Sequence, residues 1–310
     1  MLRYHLGWID EHGNPLTSAS GKALRPTLCL LACEAISGDY HQALPAAAAL
    51  ELVHNFSLIH DDIQDDDRER RGRPSVWAVW GKPQAINAGT VMLVLAEASL
   101  MRLTKRGVPS DLVLKISQRL DENCMRLIEG QYLDIHFESC QQVDTGEYMH
   151  MIENKTAALI ACSLELGALL ATSQARTLQA LNNFGKHLGL AFQIRDDILG
   201  VWGDQGRLGK PVGSDIWRKK KSYPIVFAWE NASQAERAEL TAIYQQEAID
   251  EPAFKTVMGI LDRLQAKDQA QLLVQRHCRQ AVEEIQSADL LPWGRAACEE
   301  MVDFLARRDY

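Results

Sequence analysis

Two aspartate clusters are set into segments that otherwise read as apolar helices. The first is His60-Asp61-Asp62-Ile63-Gln64-Asp65-Asp66-Asp67, and the second is Gln193-Ile194-Arg195-Asp196-Asp197-Ile198-Leu199-Gly200. Unpaired carboxylates in that setting repel one another and cost desolvation energy. A divalent cation relieves both, and hard oxygen donors of this kind suit Mg²⁺. Mg²⁺ held by a few carboxylates completes its shell with water and substrate phosphates. The expectation is a site for a phosphorylated substrate between two helices.

The rest of the chain agrees with a helical frame. Only ten prolines fall in 310 residues, and Ala/Leu-rich stretches outnumber β-branched runs. Helical spacing predicts segments over 26–36, 46–62, 85–103, 111–135, 146–171 and 178–201, then shorter ones over 223–231, 234–246, 251–264, 268–287 and 293–307. The clearest stripe is Leu112, Ile116, Leu120, Cys124, Leu127 and Gln131, which ends on polar residues beside Asp134. That helix either leaves the core there or enters a polar cavity. With no composition break and no fixed-period repeat, the expected fold is all-α, a single-domain antiparallel helical bundle over 1–310 around a central cavity.

Several functions are disfavoured. A formal net charge of -8 argues against nucleic acid as a partner. Seven cysteines without a Cys-x-x-Cys pair suggest neither a disulfide framework nor a zinc site; buried thiols in a reducing cytoplasm are expected. The N-terminus lacks an apolar signal core. The most apolar stretch, Val91 to Leu103, contains Glu97 and Arg102 and is short for a membrane span, so no integral membrane segment is expected. The histidines lack the spacing of a metal phosphohydrolase, and Gly206-Arg207-Leu208-Gly209-Lys210 lacks that of a P-loop.

Asp61 and Asp65 are four apart, which on a helix puts them on one face, with Asp62 about 100° round. Asp196 and Asp197 could bracket a metal similarly. Asp61, Asp62 and Asp196 have apolar neighbours and little apparent solvent, whereas Asp66, Asp67, Arg68 and Glu69 read as a solvated run. Basic residues gather at Lys22 and Arg25, at Arg70, Arg71 and Arg73, and at Lys210 and Lys219 to Lys221. Each group is flanked by glycine or follows an acidic motif, as expected of phosphate binders.

These motifs, taken in order, resemble the trans-isoprenyl diphosphate synthases, the polyprenyl synthetase family. The resemblance lies in Gly21-Lys22-Ala23-Leu24-Arg25-Pro26, the first acidic motif, Arg70-Arg71-Gly72-Arg73-Pro74, Gly130-Gln131 with Asp134, and Lys155-Thr156. It continues through Phe192-Gln193-Ile194-Arg195-Asp196-Asp197, Gly209-Lys210 and Lys220-Lys221-Ser222-Tyr223-Pro224. It implies an isoprenoid synthase type I fold and a homodimer, with Ala85 to Leu103 as a contact surface. It also implies Mg²⁺, three ions with substrate bound, held by Asp61, Asp65 and Asp196 and supported by Asp62 and Asp197. Lys22, Arg25, His54 and Arg71 would hold isopentenyl diphosphate. Arg70, Lys155, Lys210 and Lys220 would hold an allylic diphosphate, with Thr156 and Gln193 near the reacting carbon.

The family pattern is broken at Gly200, where a third aspartate is common, at Ala23 in place of arginine and at Thr90 in place of aspartate. The chain also begins close to the first matched segment, so an N-terminal helix of relatives is expected to be short. Phe56 lies about 7.5 Å along the axis from Asp61 on a helix. The resemblance makes it the floor for a growing prenyl chain, implying a C20 geranylgeranyl product, with C15 farnesyl the runner-up. A non-catalytic synthase subunit, motivated by the three departures, and a class I terpene cyclase are the alternatives.

Overall fold

The computed structural model describes residues 1–16, 21, 23–203 and 212–307. Its elements in chain order are α1 (Leu2–His5), α2 (Leu24–Ser37), α3 (Leu44–Gln64), β1 (Glu69–Arg70), β2 (Arg73–Pro74), α4 (Val76–Trp80), α5 (Lys82–Leu100) and α6 (Ser110–Ser139). Then come α7 (Thr145–Ile152), α8 (Ala158–Leu169), α9 (Ala175–Trp202), α10 (Ser214–Trp217) and α11 (Tyr223–Asn231). The last four are α12 (Gln234–Tyr244), α13 (Glu251–Arg263), α14 (Ala266–Gln286) and α15 (Pro292–Arg307). Starts follow local chemistry. Proline occupies the first turn of α3, α5, α11 and α13, where its missing N–H costs nothing. Asp144 with Glu147 and Ser233 with Glu236 form reciprocal capping boxes at α7 and α12.

The chain divides into two compact units. Unit 1 comprises Met1–Met125, Cys162–Leu181 and Asp289–Gly294. Leu28 on α2, Leu50 and Ile59 on α3, and Met92 and Leu100 on α5 are fully buried there. Helices α3 and α5 approach closely because Gly89 has no side chain: a Cβ would stand 2.5 Å from the His60 ring. Unit 2 comprises Arg126–Ala161, Asn182–Ala288 and Arg295–Tyr310. Its core joins Val201, Ile216, Ile225, Trp229, Leu240, Val257 and Leu261.

The charged connection after the first acidic motif is more ordered than expected. Strands β1 and β2 pair antiparallel, Arg70 opposite Arg73. The two residues between them, Arg71 and Gly72, have φ of 54° and 71°. Positive φ at both central positions matches the twist of a two-residue hairpin. The expected helix over 146–171 is interrupted: α7 and α8 are separated by a π turn at Glu153–Ala157. Helix α5 with its 3₁₀ extension spans Lys82–Arg106, 25 residues with an 18-residue stretch of mean hydropathy 1.3, and is long and apolar enough to cross a membrane by length and composition alone. The sequence reading places this helix over 85–103 and takes Val91 to Leu103 as its most apolar stretch, short for a span. Six of the seven cysteines are buried and none is in a disulfide, as expected.

Candidate active site

In unit 1 the first acidic motif closes α3. Asp61 is half-buried and Asp65 exposed, while Asp62, one residue round, is buried. The hairpin returns Arg70 over this turn. Its Nε donates to Asp62 Oδ1 at 2.5 Å and its terminal nitrogen to Asp61 Oδ2 at 3.4 Å. Burial raises the Asp62 carboxyl to about 6 despite Arg70, because Asp61 and Asp67 add repulsion. Asp62 Oδ2 is buried without a partner. The orphaned oxygen in this acidic turn suits the chemistry of a hard divalent cation, although among the described residues no three acidic, histidine or cysteine side chains stand together as a complete metal site. Arg70 neutralises this acidic turn, a contact the sequence did not anticipate. Asp66 turns away to Lys82, 2.5 Å distant, consistent with a solvated run.

A cationic cluster of side chains lies in the same unit. Arg71 packs over Gly21, where a Cβ would stand 2.9 Å from its guanidinium. Arg25 on α2 is lowered to about 10 by burial, opposed by Glu51. Burial, with Arg25, Arg71 and Arg70, holds His54 well below the ordinary histidine range. Arg25 Nε, Glu51 Oε2, Asn55 Oδ1 and His5 Nε2 are all buried without partners. An excess of cations with unsatisfied polar atoms suits a polyanion. Phe56 is buried one turn before His60 and meets its ring edge to face at 5.0 Å. Lys22 lies outside the described residues, as does Lys210.

In unit 2 the π turn presents Lys155 and Thr156. The turn fits only because glycines face it. A Cβ at Gly130 on α6 would run into the Lys155 backbone, and one at Gly189 on α9 would stand 2.5 Å from the Ala157 Cα. π turns of this sort are frequent at functional sites. Lys155 pairs with Asp134, so the stripe of α6 ends in an ion pair within a polar cluster. Burial opposes the Asp134 carboxylate, but Lys155 and Lys220 outweigh it and hold its pKa low.

Thr156 donates to Gln193 Oε1 at 2.7 Å, and Gln193 donates to Asp197 Oδ1 at 3.0 Å. Asp197 is buried and raised to about 6 by burial, with Lys220 opposing. Both its oxygens are engaged: Oδ2 accepts from the Tyr148 hydroxyl and from the Tyr223 backbone N–H at 2.8 Å. Asp196, expected to be shielded, is exposed, because α9 turns it away from the core that buries Ile194 and Ile198. The lysine run divides its work. Lys219 donates to the carbonyls of Gln246 and Glu247, and Lys221 to those of Phe137 and Cys140. Lys220 stands among carboxylates; burial lowers its pKa, but Asp197, Asp215, Asp134 and Asp196 outweigh it and hold the ammonium charged.

Sequence reasoning missed three residues. Tyr148 fixes Asp197. Glu51 faces Arg25 and Arg71, the latter together with Asp62, and its place one helical turn before Asn55 was its only signal. Asp215 occupies the space beside Gly200: a Cβ there would run into its carboxylate. The position that lacks the usual third aspartate thus has a carboxylate supplied from α10.

Similar proteins share this arrangement of segments. The chain is 45% identical over 237 residues to the (2E,6E)-farnesyl diphosphate synthase of Mycobacterium tuberculosis, covering 76% of this chain and 65% of that one, just under two thirds of the relative's length. The short chain isoprenyl diphosphate synthase of Methanothermobacter thermautotrophicus is 40% identical over 301 residues, 97% of this chain and 90% of the relative. The crystal structure of a polyprenyl synthetase from Streptomyces coelicolor superposes with a TM-score of 0.90 at 36% identity, covering 98% of this chain and 90% of that one. The fold is the all-α isoprenoid synthase fold expected from the sequence. The family pattern for polyprenyl synthetases runs through residues 7–261, and with these likenesses it establishes that the chain belongs to the polyprenyl synthetase family.

Proposed function

We propose that the chain is a Mg²⁺-dependent trans-prenyltransferase that condenses isopentenyl diphosphate with an allylic diphosphate, its two units working as one catalytic domain. The observation that carries this reading is the Arg25, His54 and Arg71 pocket with its orphaned polar atoms. A second anion site of this kind serves a second diphosphate, which a terpene cyclase does not need. The carboxylate of Asp215 against Gly200 weakens the main ground for a non-catalytic subunit.

In this reading Lys22, Arg25, His54 and Arg71 hold isopentenyl diphosphate. Lys155, Lys210 and Lys220 hold the allylic diphosphate and stabilise the charge that develops as its C–O bond breaks. Arg70, already paired with Asp61 and Asp62, orients that acidic turn. Thr156 and Gln193, linked by a hydrogen bond, lie by the reacting carbon, and the departing diphosphate takes the proton. Asp61, Asp65 and Asp196 are the Mg²⁺ ligands, three ions with substrate bound; Asp62 and Asp197 add charge behind them. Bound Mg²⁺ supplies Lewis-acid stabilisation of the leaving diphosphate. Apolar side chains such as Phe56 keep water from the cation, and Phe56 limits the product to C20 geranylgeranyl diphosphate. The protein is a soluble, cytoplasmic homodimer.

One assay tests the reading. Purified protein is incubated with Mg²⁺, isopentenyl diphosphate and a short allylic diphosphate, and the dephosphorylated products are chromatographed. Longer linear alcohols are expected. Cyclic hydrocarbons would indicate a cyclase, and no turnover a modulating subunit.

A further inference from the structure

The ribbon that carries Arg70 and Arg71 also grips the N-terminal turn. Tyr4 is buried, and its hydroxyl donates to the Pro74 carbonyl at 2.8 Å. Arg73 lies 4.1 Å over the Tyr4 ring and donates to the carbonyls of Tyr4 and Ile9 at 3.2 and 3.0 Å. Trp80 closes the other side, edge to face at 4.9 Å. This grip fixes the next residue, His5, whose Nε2 is buried without a partner.

His5 shares its surroundings with the cationic pocket. Burial first, then Arg71 and Arg70, lower its pKa to about 3; a side-chain hydrogen bond with Asn55 on α3 opposes them, and Arg73 adds to the lowering. His54, on the same α3 turn as Asn55, feels His5 as well as Arg25, Arg71 and Arg70. Glu51 faces Arg25 and Arg71. Arginines from the ribbon and α2 therefore surround a neutral ring whose approach to Asn55 leaves Nε2 without a well-formed hydrogen bond. A polyanion entering there would supply the missing acceptor and reverse the local field.

We propose that His5 is a further substrate-contacting residue of this pocket, its Nε2 donating to the diphosphate of the isopentenyl substrate, with one proton taken from solvent onto the imidazole as the ligand enters. The proposal rests on the function proposed above. The free pocket holds His5 neutral, and the complex holds it as imidazolium. The complex then binds more protons than its separated parts, so affinity falls as pH rises.

Two measurements on wild type, His5→Gln, His5→Ala and His54→Gln decide it. The first is steady-state kinetics with each substrate varied. His5→Ala is expected to raise KM for isopentenyl diphosphate about tenfold, the loss of one charge-assisted hydrogen bond, with KM for the allylic substrate and kcat within about twofold. His5→Gln, which keeps a donor but takes no proton, should recover part of the loss and flatten the rise of KM between about pH 7 and about pH 9. The second is calorimetry with inorganic diphosphate in buffers of different ionisation enthalpy. Wild type should take up protons, His5→Gln fewer, and His54→Gln should retain the His5 share.

Unchanged KM for isopentenyl diphosphate in both His5 variants, or equal proton uptake by wild type and His5→Gln, overturns the proposal. Matched losses for both substrates with a lowered melting temperature in His5→Gln would assign His5 to packing instead. If wild type makes no product, the proposed function fails, and the calorimetric arm still decides whether His5 contacts the anion.

Discussion

Neighbouring carboxylates in the first motif have different roles. Asp62 is buried and half-satisfied by Arg70, whereas Asp61 keeps a long contact to Arg70 and faces outward. Asp61→Ala removes the proposed Mg²⁺ ligand and one repulsive neighbour of Asp62. Turnover should fall by about 10²–10³-fold, the range for loss of one electrostatic element. The melting temperature without Mg²⁺ should hold or rise, since relief of repulsion offsets the weak contact with Arg70. Near wild-type activity would sink the assignment of Asp61 as a ligand.

Gly200 shows what a motif comparison alone could not supply. The missing third aspartate reads as a lost carboxylate, and restoring it would be the natural repair. The space is already filled by Asp215, so Gly200→Asp would add a clash and a second charge beside it. The variant should lose about 1–3 kcal/mol of stability from overpacking, and its Mg²⁺ requirement should not fall. Thermal denaturation and a Mg²⁺ titration of the rate check both; a lower half-saturating Mg²⁺ with unchanged melting would show that the two carboxylates cooperate.

At the level of elements, most helices were legible because apolar spacing carries through turn after turn. Helix α11 falls at the expected residues, and α6 and α9 extend only a few residues beyond theirs. The π turn was not legible. Nothing at Glu153–Ala157 marks a break, since the residues that permit it are glycines at 130 and 189, far away in sequence. The hairpin was hidden for another reason: its turn places an arginine, not Asn or Asp, before Gly72. Motif matching singled out Lys155 and Thr156 without showing what shapes their backbone.

Helix α3 carries its own test. Phe56 is buried and packed against His60 on the helix that ends in the acidic turn. A chain anchored at that turn and growing along α3 meets this ring about 7.5 Å from Asp61. Phe56→Ala should shift the main product beyond C20, at a stability cost of about 3–5 kcal/mol for emptying a buried aromatic site. Phe56→Leu is the milder companion, expected to shift products partially. An unchanged product distribution in both would move the floor elsewhere.

For the molecule as a whole, the remaining question is what covers its exposed apolar side chains. On α5, Val91, Val94 and Leu95 are 46%, 63% and 42% exposed, too contiguous for scattered surface residues. On α6, Leu114, Met125, Ile128 and Tyr132 recur at helical spacing and are 60%, 63%, 48% and 65% exposed. The first half of α6 is tied to α5 by Ser117 donating to Glu97 at 2.7 Å. The sequence singled out α5 as a contact surface but read α6 by its buried stripe alone, because both faces of that helix carry apolar residues at the same period. A second copy of the chain is the occupant this composition suits, since homodimer interfaces are the more apolar class. Val94→Glu combined with Met125→Glu should convert a dimer into a monomer by analytical ultracentrifugation. Neither side chain is buried within one chain, so monomer helicity should be unchanged, with a cost within about 0.5 kcal/mol per surface substitution. Wild type sedimenting as a monomer, or the double variant remaining a dimer, would rule out this face as the subunit contact.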